Sequence, residues 1–231
     1  EIQQGLVFGS EVKGMLDKVP GSRTLDNLAA SFQSRTGLNP LRNTLFSGIK
    51  KLLPGETIVW DIDNRKICDT KRIYIRPNSN IEFDQKEFRE QLAKAVQRCS
   101  IGRRKIGVFL SGGLDSSVIA YELGKIKEEV HTFTNKFVPG VQGDEDFNSD
   151  AKAAKILAEQ NNFIHSEVEI TPKIFKTSWN DSVYYGEQPV YTANSSLYCY
   201  TNKFLSEKDI VVTMSGDMGD EILGGYVKYK H

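Results

Sequence analysis

Two short apolar runs in this chain each open directly onto a glycine turn that leads into a helix-like segment. That arrangement restricts the fold more than any other feature. The first run is Ile106-Gly107-Val108-Phe109-Leu110, followed by Ser111-Gly112-Gly113-Leu114-Asp115-Ser116-Ser117 and an apolar stretch from Val118 to Lys127. A buried strand, a glycine turn and a helix start aim backbone N–H groups at phosphate oxygens. The glycines admit close backbone approach, Ser111, Ser116 and Ser117 offer hydroxyl donors, and Asp115 offers a carboxylate to a hard cation. Gly-Gly and Asp-Ser also occur in ordinary turns. The ordered match over strand, S-G-G-x-D-S and helix favours phosphate binding.

The second run is Ile210 to Met214, opening onto Ser215-Gly216-Asp217-Met218-Gly219-Asp220-Glu221 and then Gly224-Gly225-Tyr226. Acids at a helix start are favourable in any protein. Beside a phosphate-cradling turn they take on another meaning. In a parallel α/β sheet both turns lie at the carboxyl ends of strands and can face one crevice. Asp115 and Asp220 would then supply the protein's share of a magnesium shell. No G-x-x-x-x-G-K-[ST] and no G-x-G-x-x-G occurs, so neither a P-loop kinase nor a Rossmann dinucleotide site is supported.

Between these runs, strands alternate with helices. Val130–Thr134 and Ser166–Ile170 have strand composition. Asp84 with Glu87 marks the start of a helix carrying Phe88, Leu92, Val96 and Cys99 on one face. Asp150–Gln160 carries Ala154, Leu157 and Ala158 on its inner side, and Pro172 fits a first helical position. The alternation predicts a parallel sheet with helices on both faces. Residues 1–80 differ in texture. Gly5–Gly9, Thr57–Trp60 and Ile73–Ile75 read as strands, Glu11–Asp17 as helical turns, Asp26–Phe32 as a short helix and Asp61–Asn64 as a hairpin turn. Pro77–Asn80 reads as a linker, giving domains over 1–76 and 81–231.

The 231 residues carry 30 basic and 30 acidic side chains, which gives no electrostatic reason to expect nucleic acid or an anionic membrane as partner. No apolar run approaches the length of a membrane span. Cys68, Cys99 and Cys199 are scattered and form no CxxC pattern. They read as structural thiols of a reducing compartment, and the cytoplasm is the expected location. His131, His165 and His231 are equally scattered and read as surface or core residues rather than ligands. The chain starts at Glu1 without a Met and stops just after the second motif, so a fragment is expected.

Leu110–Ser117 resembles the PP-loop of ATP pyrophosphatases, and the wider pattern resembles glutamine-hydrolysing asparagine synthetases. The matches are Phe8-Gly9-Ser10-Glu11-Val12-Lys13, Thr44-Leu45-Phe46 with Gly48-Ile49, Leu53-Pro54-Gly55, Ala154 with Ala158, and Glu187 with Pro189. Ser215-Gly216 with Asp220-Glu221 and Gly225-Tyr226 completes them, in the family's order. The resemblance implies a PP-loop, adenine nucleotide alpha-hydrolase-like domain, preceded by the C-terminal part of an antiparallel α+β glutaminase domain. It implies an ATP-dependent ligase that converts aspartate to asparagine through β-aspartyl-AMP, with ammonia from glutamine or free ammonia as nitrogen donor, and a homodimer as one expected assembly. By resemblance Ser111, Gly112, Gly113, Asp115 and Ser116 hold pyrophosphate, and Leu110, Ser215 and Gly216 line AMP. Asn135 sits where the family's backbone meets adenine, Asp115 and Asp220 hold Mg2+, and Asp217 stands at the position of the catalytic acid.

Three departures accompany the match. Asp217 replaces the family's Glu and Met218 the following Gly; no Cys lies near residue 1; and only five residues follow Tyr226, so the later part, where the family carries a catalytic Lys and further substrate contacts, is expected to be missing. The chain by itself is therefore expected to be inactive. A related PP-loop enzyme acting on another acid, such as a β-lactam synthetase or a peptide or sugar-acid amidotransferase, remains an alternative, as does a non-enzymatic nucleotide-binding relative.

Overall fold

The computed structural model describes residues 5–76, 82–138, 146 and 148–226. They cluster into two compact units, one of residues 1–81 with 181–195 and one of residues 82–180 with 196–231. The proposed linker at Pro77–Asn80 lies outside the described residues.

In the first unit, α1 (Asn27–Thr36) starts where the Asp26 carboxylate accepts from Ala29 N at 2.9 Å, and ends at Gly37, whose φ of 73° is the left-handed conformation of a helix stop. β1 (Glu56–Asp61) and β2 (Lys66–Arg72) form an antiparallel hairpin. Asp61 closes its turn by accepting from Asn64 N at 2.9 Å. The buried Glu56 carboxylate is held by Arg42 through two contacts of 2.8 and 2.6 Å, a bidentate pair, and Arg42 keeps its pKa below the usual range. Two sequence expectations fail here. Gly5–Gly9 contributes one isolated bridge residue rather than a strand, and Ile73–Ile75 is irregular, with Ile75 96% exposed. The partner of β1 is the polar stretch 66–72, whose Lys, Asp and Arg content conceals a strand read from composition. Residues 11–17 make turns closed by Met15 N to Val12 O and Lys18 N to Met15 O, short of a regular helix.

The second unit is the α/β domain expected. Its sheet runs β5-β4-β3-β6, all parallel, from β3 (Lys105–Phe109), β4 (His131–Phe137), β5 (Ile164–Ile170) and β6 (Ile210–Met214). Strand β3 is buried on both faces. Ile106, Val108 and Leu110 pack with Val96 of α2 (Gln85–Cys99), Ala120 and Leu123 of α3 (Leu114–Gly124), and Ala154 and Ala158 of α4 (Ser149–Gln160). On the other face Phe133, Val168 and Ile210 meet Leu197 and Leu205 of α6 (Ala193–Glu207), with Ile174 and Phe175 of α5 (Pro172–Gly186) against them. Burial on both faces explains why β3 reads as an unbroken apolar run. Helix α2 begins as expected, with Asp84 accepting from Lys86 N and Glu87 N. Its Cys99 and Cys68 of β2 are exposed, so these two thiols are not core residues. Among the described residues no helix is long and apolar enough to cross a membrane.

Gly107 of β3 has no room for a side chain: a Cβ there would lie 2.5 Å from Phe133 Cε1 and 2.9 Å from Ile210 Cγ2. Gly107→Ala should destabilise the domain by about 1–3 kcal/mol through overpacking, read as a lower urea midpoint. An unchanged midpoint would mean the sheet and α6 face are looser than described.

His165 of β5 supplies an acid-sensitive element. Its Nδ1 lies 2.9 Å from Thr132 Oγ1, and its Nε2 is buried without a hydrogen-bond partner. A neutral ring with its proton on Nδ1 satisfies that arrangement, donating to Thr132 and leaving a bare acceptor inside. Burial pushes the pKa below 6.5, Lys155 of α4 acts the same way, and Glu167 and Glu159 oppose them. A depressed folded-state value means the contribution to stability is complete above about pH 6.5 and is lost as pH falls through the folded pKa. His165→Gln should flatten the dependence of the urea midpoint between neutral pH and pH 5; an unaltered slope would place the acid sensitivity elsewhere.

Candidate active site

The sheet order creates the site. From β3 the chain crosses to β4 on one side, while β6 pairs with β3 on the other, so the order reverses between β3 and β6. Helices leave opposite faces at such a point and open a crevice at the strands' carboxyl ends. The register pairs Val108 with Met214, which carries Leu110 and Gly216 to adjacent positions just beyond the strands.

The first turn is locked by its own hydroxyls. Ser111 N donates to Ser116 Oγ at 3.1 Å, the two serine Oγ atoms are 3.0 Å apart, and Gly113 N donates to Ser111 Oγ at 3.2 Å. Ser116 is buried, and both it and Ser117 return their hydroxyls to Gly113 O, at 3.3 and 2.6 Å. These bonds shape the loop from within. What the loop presents outward is the N-terminus of the 11-residue α3, where Gly113 provides no side-chain cap. The first-turn N–H groups of such a helix have no intrahelical partner and suit an anion. Gly112 has φ 77°, and a Cβ on it would sit 2.5 Å from Ala153 Cβ, so a small residue on each side lets α4 close over the loop.

The acidic turn sits against Asp115. A Cβ on Gly216 would lie 2.8 Å from Asp115 Cβ and 2.8 Å from Ser116 N; one on Gly219 would lie 2.5 Å from Asp115 Oδ2. The two motifs, about a hundred residues apart, thus meet at the carboxyl ends of β3 and β6. Asp220 faces the following turn: Gly225 N donates to Asp220 O at 3.0 Å, and Gly225 leaves its carboxylate the space a Cβ would fill. No group of three or more His, Cys, Asp or Glu among the described residues could hold a metal ion. Asp115 and Asp220 are hard oxygen donors of the kind Mg2+ takes, with phosphate oxygens and water completing its shell. The residues present fit the ion on those terms.

Asp217 is exposed, and Ser215 Oγ donates to its Oδ2 at 2.7 Å, holding the carboxylate back on its own turn. Met218 has φ 74° and ψ −4°, a left-handed conformation that costs an L-residue roughly 1–2 kcal/mol. Glycine takes it freely, which gives the departure at this position a structural meaning. Asn135 lies within β4, which continues to Phe137 rather than ending at Thr134, because seven residues of β4 pair with β5. Its side-chain Oδ1 accepts from Thr201 Oγ1 of α6 at 2.9 Å.

Sequence reasoning passed over α6, whose mixture of Tyr, Asn, Ser and Cys lacks a clean apolar stripe. That helix brings Tyr198 to the site. Its ring stands edge-on to Phe109 at the end of β3, with centroids 5.9 Å apart and planes at 86°. Burial raises the Tyr198 pKa, and the negative charge of Asp217 raises it further. Nothing local in the sequence marks Tyr198. Gly219, immediately before Asp220, could have been read as a contact glycine.

In the first unit, two stretches matched separately in the sequence prove to touch. The Glu187 carboxylate accepts from Val12 N at 2.7 Å and Lys13 N at 2.6 Å. Burial would raise its pKa, but those N–H groups and Lys13 hold it below the usual range. The Tyr191 hydroxyl also donates to Gln33 O, fastening residues 181–195 to the unit that contains α1.

Residues 87–231 match the family model described as asparagine synthase. The chain is 27% identical over 238 residues to glutamine-hydrolyzing asparagine synthetase 3 of Bacillus subtilis, covering 95% of this chain and 38% of that protein. It is 25% identical over 232 residues to the rat glutamine-hydrolyzing asparagine synthetase, covering 89% of this chain and 41% of that one. The chain therefore spans well under half the length of the curated relatives it matches. Among solved structures it is similar to an NMN synthetase from Francisella tularensis, with a TM-score of 0.43 and 20% identity over 64% of this chain and 61% of that one.

Proposed function

The chain belongs to the asparagine synthase family, and we propose on that premise that it carries the nucleotide half of an ATP-dependent, amide-forming site. In this reading a substrate carboxylate, aspartate in the first instance, attacks the α-phosphorus of ATP. The bond to the bridging oxygen breaks and pyrophosphate leaves with the electron pair. Ammonia then attacks the activated acyl carbon, AMP leaves, and the nitrogen gives up a proton. Adenylation is needed because a carboxylate oxygen is otherwise a very poor leaving group.

The observation that carries the reading is the contact of Gly216 and Gly219 with Asp115, which brings the glycine–serine turn and the acidic turn together. The open N-terminus of α3 and the Gly112–Gly113 backbone would take the pyrophosphate, whose growing charge fixed donors stabilise. Asp115 and Asp220 would hold Mg2+, which when bound neutralises phosphate charge. Leu110, Ser215 and Gly216, at the β3–β6 junction, would line AMP. Asn135 would contribute to the adenine pocket through its backbone, its side chain being committed to Thr201. Asp217 would accept the proton lost by nitrogen, with Ser215 setting its direction. Residues 1–76 are read as the end of a glutaminase domain, and the enzyme as a cytoplasmic protein working from glutamine or free ammonia.

The test is acid-dependent exchange of pyrophosphate into ATP by the full-length protein, followed by product analysis with ammonia present. AMP and asparagine in equal amounts support the proposal. ADP as product, or exchange with no acid dependence, overturns it.

A further inference from the structure

Asn148 stands just before α4, where an asparagine ordinarily caps its own helix by accepting from a first-turn N–H. It makes no such bond. Its side chain turns instead to the last residue of β4: Oδ1 accepts from Phe137 N at 2.8 Å, and Nδ2 donates to Phe137 O at 2.9 Å. One amide thus grips both main-chain groups of a single residue, as a neighbouring strand does. Strand β3 does not reach this far, because its register with β4 stops at Phe109 and Phe133.

The grip fixes where α4 starts. Five residues on, about 7–8 Å along the helix axis, α4 rests on the phosphate turn. A Cβ on Gly112 would lie 2.5 Å from Ala153 Cβ and 3.0 Å from both Ala153 C and Ala154 N, so the main chain of α4 is itself in contact. The inner side of the helix is Ala151, Ala154 and Ala158, all buried. Methyl groups make shallow ridges, which resist sliding along the axis only weakly. The amide clamp supplies that resistance. Strand β4 can bear it, since seven of its residues pair with β5.

We propose that Asn148 is a positioning residue for the phosphate turn: by gripping Phe137 it holds α4 on Gly112, and so keeps the first-turn N–H groups of α3 aimed at pyrophosphate. The inference rests on the adenylating reading above, which assigns pyrophosphate to that turn. The residues assigned to AMP, Leu110, Ser215 and Gly216, follow β3 and β6 and do not depend on where α4 starts.

The experiment titrates the full-length protein with magnesium pyrophosphate and, separately, with AMP in a calorimeter. Asn148→Ala should weaken pyrophosphate about tenfold, the scale of one hydrogen bond to an anion, and leave AMP within about twofold of wild type. A merely structural role would lower the melting temperature without separating the two ligands. Asn148→Asp, of the same size, keeps the acceptor for Phe137 N and loses the donor to Phe137 O; it gives the same reading should the alanine variant not fold. Lys152→Ala removes only the exposed ion pair with Asp146 at the same helix start, and should bind both ligands as wild type does. Unchanged pyrophosphate binding in the Asn148 variants, an equal loss of both ligands, or the same selective loss in Lys152→Ala overturns the inference and leaves the phosphate turn standing. A wild type that fails to bind either ligand overturns the adenylating reading and the inference with it.

Discussion

Asp115→Asn in the full-length protein should reduce acid-dependent pyrophosphate exchange by about two to three orders of magnitude, with little change in melting temperature. Asparagine preserves the volume packed against Gly216 and Gly219, so the two turns keep their contact. What disappears is one negative charge at the first turn of α3. A two- to three-order loss corresponds to about 3–4 kcal/mol of transition-state stabilisation, the scale expected of a group that holds a cation on departing pyrophosphate. The same variant should need more Mg2+ for half-maximal exchange. Exchange within twofold of wild type at ordinary Mg2+ would remove Asp115 from the metal and leave the crevice without its central carboxylate.

The second large effect concerns a residue with no side chain. Gly216→Ala places a Cβ 2.8 Å from Asp115 Cβ and Ser116 N, and 3.0 Å from Asp115 C. These are mostly main-chain atoms of a helix start and cannot swing aside. The turns must separate by several tenths of an ångström or more, and misplacement approaching 1 Å costs on the order of a hundredfold in rate. Stability should fall by about 1–3 kcal/mol as well. Gly113→Ala is the control, because its Cβ would meet only Ser111 Oγ at 3.2 Å, a rotatable hydroxyl. Kinetic and thermal measurements on both variants should separate them clearly. Equal, mild effects would mean that the acidic turn does not press on α3 as described.

Much of the site is legible because its chemistry is concentrated in two short stretches, each following a strand. The open first turn of α3, the left-handed Gly112 and the acids at 217, 220 and 221 are consequences of residues close together in sequence. The hydroxyls are a different matter. Ser116 reads as a donor to a ligand, yet its hydroxyl is spent on Ser111 and Gly113, because that hydroxyl is buried and a buried polar group must be satisfied. Strand β2 and helix α6 were hidden for a shared reason: neither shows a clean apolar period, and each is placed by what it pairs with.

The sequence alone determined the alternation of strands and helices from residue 82 onward and the two glycine turns to which the chemistry is assigned in the proposal above. Both follow from near-neighbour preferences, glycine where φ is positive and apolar runs where both faces are covered. Tertiary structure decided which distant groups meet. The β3–β6 register sets Gly216 and Gly219 on Asp115, α6 brings Tyr198 to the end of β3, and Glu187 reaches Val12 and Lys13 across 175 and 174 positions. Such contacts depend on the sheet's strand order and on the packing of helices over it. No local preference encodes either one.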